Sequence, residues 1–347
     1  MKICHVLWGL TYGGIETMII NIANEQTALG HEVHLLVVND MFEDSLIDKI
    51  DKNVTLHKIG RKVGSKNPLP IVKLNFMIWR MAPDVVHFHE AGLNSWVKDF
   101  VLKASCTTHH NDHVSHLAPF IKKRPNFFSV SNVVGKLIKE ATGYDTTVVV
   151  NGIDTSRFTR KSSYYKGGAV FRIIQVGRLL TVHKGQDILV EAARMLRDRG
   201  VAVQIDIVGP GPSEAELASL ISRYDLSDTV TLTGPRTPEY LAQHLADYDL
   251  FVHPSRFEAF GLAIVEAMAA GVPVLVSDVE AQMEVIDDGA CGYFFKNGDP
   301  ASLADMIEYV MADYDLAKVD NALRRVADHY DVRATAARYI DEYARLK

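Results

Sequence analysis

The chain of 347 residues is long enough for two domains of ordinary size, and its 48% hydrophobic and 23% charged residues exclude a disordered tract. Three widely spaced cysteines, Cys4, Cys106 and Cys291, form no C-x-x-C pair; they exclude a disulfide frame or a zinc ribbon and fit a reducing, cytoplasmic setting. The net charge of −6 comes without a basic stripe interleaved with aromatics, which excludes nucleic acid as the expected partner, and no apolar run is long enough for a spanning helix.

The opening MKICHVLWGLTYGG has one lysine, a short apolar run and no small-residue cleavage site, so it reads as a first buried strand rather than a signal peptide. Residues 3–7 predict a strand, 14–29 a helix ending at Gly30, and 33–38 and 54–58 further strands. Strands follow at 85–88, 127–130 and 148–150, the last running into Asn151-Gly152. Tyr164-Tyr165-Lys166-Gly167-Gly168 is a polar, Gly-containing break. The pattern then restarts: strand 171–176, helix 186–199, strand 203–208, helix 213–224, strand 230–233, helix 238–246, strand 250–253, helix 262–270, strand 274–276. Short apolar runs spaced by helices suit parallel sheets buried on both faces. The restart predicts an α/β fold of two Rossmann-like domains, 1–160 and 161–330, facing across a cleft at the carboxyl ends of the strands.

Charge divides unevenly. Residues 1–160 carry 18 Lys and Arg against 15 Asp and Glu, whereas 161–347 carry 19 against 28. The clusters Arg61-Lys62, Lys66 and Lys122-Lys123-Arg124 are compatible with peripheral contact at the inner membrane face, and equally with ordinary solvated loops.

The most informative segment is EAFGLAIVEAMAAGVPV, residues 258–274. Glu258 and Glu266 flank Phe260-Gly261-Leu262, where a loop turns into a helix that stops at Gly271 with Pro273 beyond. A helix N-terminus offers free N–H groups to a phosphate, and Gly261 permits close backbone approach. Two acceptor-only carboxylates beside such a site can hold sugar and ribose hydroxyls. Upstream, Arg178 follows a strand and Lys184 comes six residues later, a pair of cations able to clamp a diphosphate. Gly209-Pro210-Gly211-Pro212 is only a fragment of a dinucleotide fingerprint; it reads as a strand-to-helix turn with Ser213 as N-cap and Glu216 closing a capping box.

These motifs together resemble the retaining glycosyltransferases of family four, with the GT-B fold. GRL…KG at 177–185, VGPGP at 208–212 and E-x7-E at 258–266 carry the resemblance. Gly13-Gly14 in the first loop, Asn151-Gly152-Ile153-Asp154 and the region around Glu284 extend it over nearly the whole chain. The resemblance implies that Arg178 and Lys184 bind the donor diphosphate, Glu266 the ribose and Glu258 a hydroxyl of the donor sugar. Gly209 would lie near the donor, and the backbone around Phe260, Gly261 and Leu262 would support the sugar-phosphate end. Gly13 and Gly14 would let the first-domain loop close. His109, in a T-x-H segment after a first-domain strand, would lie near the donor sugar. The C-terminal helix, 331–347, would cross back onto the first domain.

The implied activity is a hexosyl transfer from a nucleoside-diphosphate sugar to a hydroxyl acceptor, in polysaccharide or glycolipid biosynthesis. Uridine is favoured over guanosine as the base, and the acceptor is compatible with a lipid-linked one. No metal cofactor is expected, because no D-x-D stands where metal-dependent transferases place it. Other readings stay open. A GT-B nucleotide-sugar epimerase would share the donor site, and a silent binding module would share the scaffold. A metal-dependent hydrolase could use the run from His109 to His116: His109, His113 and His116 would share one helical face, with Asp112 nearby, while His87 and His89 are a second candidate pair on a strand.

Overall fold

The computed structural model describes residues 1–346 apart from Tyr12, Asp112 and Ala169. The chain divides into two compact units, one of residues 1–154 and 329–347, the other of residues 155–328. The first boundary thus falls before the expected 160. Segment 155–161 belongs with the second unit because its bonds run there: Arg157 to Glu239 at 2.8 Å, Thr159 N to Ala242 O at 2.9 Å and Lys161 N to Ala270 O at 2.8 Å.

The first unit runs β1 (Lys2–Leu7), α1 (Gly14–Ala28), β2 (Glu32–Asn39), α2 (Asp44–Ile47), β3 (Thr55–Arg61), α3 (Leu69–Met81) and β4 (Val85–Phe88). It continues through α4 (Ala91–Asn94), β5 (Ser105–His109), α5 (Ala118–Lys123), β6 (Phe127–Ser129), α6 (Asn132–Thr142) and β7 (Thr147–Val148). The seven strands form one sheet ordered β3-β2-β1-β4-β5-β6-β7, with every pairing parallel. Ile3, Cys4 and Val6 on β1 are all fully buried, as a central strand covered on both faces requires. The sequence pattern misses α3, α6 and β5 along with the short α2, α4 and α5. Thr107-Thr108-His109 forms the end of β5 rather than following a strand.

The second unit runs β8 (Phe171–Val176), α7 (Thr181–Lys184), α8 (Gln186–Asp198), β9 (Val203–Val208), α9 (Glu214–Arg223), β10 (Val230–Gly234) and α10 (Pro238–His244). Then come β11 (Leu250–His253), α11 (Leu262–Ala269), β12 (Val274–Ser277), α12 (Glu280–Val285), β13 (Tyr293–Phe295), α13 (Pro300–Ala312) and α14 (Leu316–His329). Its sheet is ordered β10-β9-β8-β11-β12-β13, again all parallel. Strand order reverses between β8 and β11, so the loops leaving those two strands diverge and open a crevice at their carboxyl ends.

The last helix, α15 (Val332–Tyr343), returns to the first unit. Ile153 N donates to Tyr330 O and Val332 N to Ile153 O, both at 2.9 Å. A Cβ on Gly152 would lie 2.8 Å from Val332 Cα and 2.4 Å from Thr335 Oγ1, so only glycine allows this docking. Tyr339 and Tyr343 are buried, with their hydroxyls on Thr108 Oγ1 at 3.0 Å and His87 Nδ1 at 2.6 Å.

Candidate active site

The loop after β8 is built by close backbone packing. Gly177 N donates to Val208 O at 3.0 Å and Leu179 N to Pro210 O at 2.9 Å. Gly209 has φ +140°, and a Cβ there would fall 2.0 Å from Gly177 O. Gly185, at φ +63°, likewise sits against Pro254 O. The segment 181–185 is then clamped from β11's side. Arg256 grips both Asp187 carboxylate oxygens at 2.7 Å and donates to Thr181 O at 2.7 Å. The expected capping box on α9 does not form. Ser213 Oγ and Glu216 Oε2 instead bind Thr181 at 3.2 and 3.1 Å, and the Ser213 side chain makes no cap bond. The loop competes for those oxygens and ties α9 to the site.

This scaffold brings Lys184 to Glu258. Lys184 Nζ donates to Glu258 Oε2 at 2.6 Å, and His253 Nε2 donates to the same oxygen at 2.9 Å. Burial by itself would raise the Glu258 pKa; the His253 hydrogen bond and the Lys184 charge outweigh it and hold the carboxyl at about 2. Glu258 is therefore ionised at any working pH. His253 was not singled out by the sequence, where it looks like the last residue of a buried strand. Its signal is the H-P-S turn that leads back toward Glu258. Gln282 and Ser277 fix that turn by donating to Ser255 O at 3.0 and 2.5 Å.

Gly261, at φ +100°, caps α11 in a left-handed conformation. Ile264 N donates to Gly261 O at 3.0 Å, and the N–H groups of Leu262 and Ala263 have no acceptor among the described residues, which leaves them available for an anion. Phe260 is buried at the turn. The Glu266 carboxylate, one turn into α11, accepts no hydrogen bond among the described residues; burial raises its pKa to about 7, tempered by the Arg157 cation. Arg178 is exposed, and its guanidinium has no bond or ion pair among the described residues. One ion pair, two unsatisfied groups and an open helix end thus gather on the loops leaving β8 and β11.

In the first unit, Gly13 is the extended N-cap of α1 and Gly14 its first residue, both exposed. His109 is buried at the end of β5. The histidine run does not form the expected helical face, because the chain leaves β5 into a loop; the His109 and His116 rings lie 6.1 Å apart and those of His113 and His116 5.6 Å apart. Asp112 lies outside the described residues. The histidines that do converge are His5, His87 and His89, whose ring nitrogens lie within 4.8 Å of one another. His87 bonds the Tyr343 hydroxyl at 2.6 Å and Thr108 Oγ1 at 2.7 Å, while His5 and His89 share a hydrogen-bonded network. His5 Nε2 meets Gln26 Oε1 at 2.8 Å and His5 Nδ1 meets His89 Nε2 at 2.9 Å; His89 Nδ1 meets His110 Nε2 at 3.3 Å. Burial lowers the pKa of His5 to about 4 and that of His110 to about 3, so this network is neutral at pH 7.

Two Rossmann-like units, each built on one all-parallel sheet, are the architecture of the GT-B glycosyltransferases. The chain belongs to the glycosyl transferases of group 1 and family 4: the "Glycosyl transferases group 1" model matches residues 158–326 and the "Glycosyltransferase Family 4" model residues 12–157. Among curated relatives, the amylovoran biosynthesis glycosyltransferase AmsK of Erwinia amylovora is 35% identical over 142 residues, covering 39% of this chain and 35% of AmsK. The phosphatidyl-myo-inositol mannosyltransferase of Mycobacterium leprae is 25% identical over 325 residues, 85% of this chain and 83% of the relative. The chain spans less than half the length of AmsK and of other relatives of similar identity. Among solved structures, Anabaena Alr3699/HepE, in complex with UDP and glucose, superposes with a TM-score of 0.81 at 20% identity over 99% of both chains. No helix among the described residues is long and apolar enough to cross a membrane.

Proposed function

We propose that this chain moves a hexose from a nucleoside-diphosphate sugar to a hydroxyl acceptor with retention at the anomeric carbon, in the assembly of a polysaccharide or glycolipid. The observation that carries this reading is the Lys184–Glu258 pair at 2.6 Å, set at the sheet's switch point beside the open end of α11. In this reading Arg178 and Lys184 take the diphosphate, and the α11 N-terminus with Phe260, Gly261 and Leu262 takes the sugar-phosphate end. Glu266 accepts from the ribose hydroxyls, and Glu258 accepts from a donor-sugar hydroxyl. Gly209 keeps the backbone close enough to form the floor. The family resemblance gives Gly13 and Gly14 to the diphosphate and acceptor, and His109 to the donor sugar.

The bond from the anomeric carbon to the β-phosphate oxygen breaks as the acceptor oxygen attacks from the same face. The acceptor proton passes to the departing phosphate oxygen. Cations preset where that negative charge grows lower the barrier without reorganising. Because Arg178 and Lys184 supply this charge, the reading needs no metal ion. Uridine is favoured as the base; Alr3699/HepE has been crystallised with UDP and with UDP-glucose, while a Xanthomonas campestris relative is a GDP-mannose-dependent mannosyltransferase, which keeps guanosine as the second choice. A lipid-linked acceptor in a cytoplasmic setting completes the proposal.

Thermal stabilisation by a panel of nucleoside diphosphates and their sugars, with and without chelator, tests it. Binding to the native state at a hundredfold excess over Kd adds about 2.7 kcal/mol of stability. A chelator-insensitive rise with one base, followed by transfer from that donor with retained configuration, is the expected result. No rise with any nucleotide, or release of an isomerised sugar nucleotide in place of a transfer product, overturns it.

A further inference from the structure

We infer that the outer face of α3 is a seat for an anionic lipid surface. Helix α3 has the sequence LPIVKLNFMIWRM, and only Leu74 and Ile78 on it are buried. Leu69, Val72, Phe76 and Trp79 recur at helical spacing and are 67%, 61%, 53% and 59% exposed. Phe100, 82% exposed, extends the stripe across a shallow cavity of about 360 Å³ that Phe76, Trp79 and Lys98 also line. The Phe76 and Trp79 rings sit 5.8 Å apart, side by side on the surface. Several large apolar side chains gathered on one exposed face mark a surface that something covers.

Charge identifies what covers it. Residues 53–83 contain six Lys and Arg and no Asp or Glu. Arg61 is spent internally, on Asn39 and Ser65 O at 2.9 Å each. Lys73 is likewise turned back onto Lys58 O and Ile59 O at 3.0 Å. Lys62, Lys66 and Arg80 are exposed, and their side chains have no hydrogen bond or ion pair among the described residues. Arg124 is also structural: it is buried against Asn94 and neutralises Asp99, the carboxylate next to Phe100. Aromatic and aliphatic tips framed by unpaired cations match a bilayer interface, which offers acyl carbon to the stripe and phosphate to the rim. A protein partner fits less well, because lysine is depleted from protein interfaces.

No residue of this surface is among the donor-site residues, so the inference can fail while the sugar-transfer reading holds. The test is co-sedimentation of the full chain with vesicles of phosphatidylcholine alone and of phosphatidylcholine mixed with phosphatidylglycerol. The expected result is binding to the anionic vesicles only, weakened at about 0.5 M salt. The variants F76S/W79S and K62E/K66E should each reduce binding by about tenfold or more. Both pairs are exposed, so melting temperature and nucleotide-induced stabilisation should stay at wild-type values, which separates this site from the donor site. Absence of binding to anionic vesicles, or unchanged binding by both variants, overturns the inference. So does concentration-dependent self-association that F76S/W79S abolishes, since a second copy would then be the occupant.

Discussion

Glu258 and Glu266 are the same residue type on one loop-helix element, yet the fold shifts their pKa values in opposite directions. Glu258 is held at about 2 by His253 and Lys184 despite its burial, while Glu266 is raised to about 7 by burial. A ribose hydroxyl donating to Glu266 favours its carboxylate, so nucleotide binding should release a proton. Affinity should therefore rise as pH rises through 7, by about tenfold between pH 6 and 8. Titration calorimetry at several pH values on wild type and Glu266→Gln checks this. The variant should keep only the slope due to the nucleotide's own phosphate, and equal slopes would remove Glu266 from the ribose site. Arg178 and Lys184 make a second test. Arg178→Ala removes an exposed, unpaired side chain, so stability should not change, while turnover should fall by about a hundredfold. Normal turnover in that variant refutes the diphosphate role. Both glutamates and both cations were legible in the sequence because their spacing around strand ends and glycines is local. His253 was not, because its role depends on a loop folding back over a neighbouring residue.

At the scale of elements, the loops leaving β8, β9 and β11 are held by backbone against backbone. Gly209→Ala would place a methyl group 2.0 Å from Gly177 O at a φ of +140°, which L side chains rarely adopt. It should destabilise the second unit by about 1–3 kcal/mol and weaken nucleotide binding with it; differential scanning calorimetry reads both. A melting profile identical to wild type would show that the two loops separate freely. The Ser213–Glu216 pair shows why a correct motif can mislead. The residues suit a capping box, but Thr181 lies within reach and takes both oxygens. Strands flanked by Pro or Gly, such as β4 and β8, were readable end to end. Short strands such as β5 and β13 were not, since the mostly polar SCTTH and the three residues YFF carry no period of their own.

For the molecule as a whole, the C-terminal residues complete the first unit. Tyr339 and Tyr343 reach Thr108 and His87 across more than two hundred residues of chain. A chain ending before Tyr330 should lose the cooperative melt of the first unit while the second unit still melts. All three tryptophans, Trp8, Trp79 and Trp96, lie in the first unit, so their fluorescence follows it selectively. The same signal tests the histidine network. His5, His89 and His110 bind protons more weakly when folded than when unfolded, because burial disfavours the charged imidazole. Stability contributed above about pH 6.5 is then lost as pH falls toward 4. The tryptophan-detected midpoint should start to drop above pH 5.5, before most carboxylates titrate. A flat midpoint down to pH 5 would contradict the neutral network.

The alternation of strands with helices, the restart at the second sheet and the glycosyltransferase motifs were set by the sequence alone, because periodicity, glycine placement and short-range spacing act within a few residues. The tertiary structure decided which histidines meet, where Ser213 and Glu216 point, why residues 155–161 belong to the second unit, and that α3 turns its aromatics outward. Each of these depends on groups brought together from distant positions, and burial, charge and competition for hydrogen bonds take effect only once that contact is made.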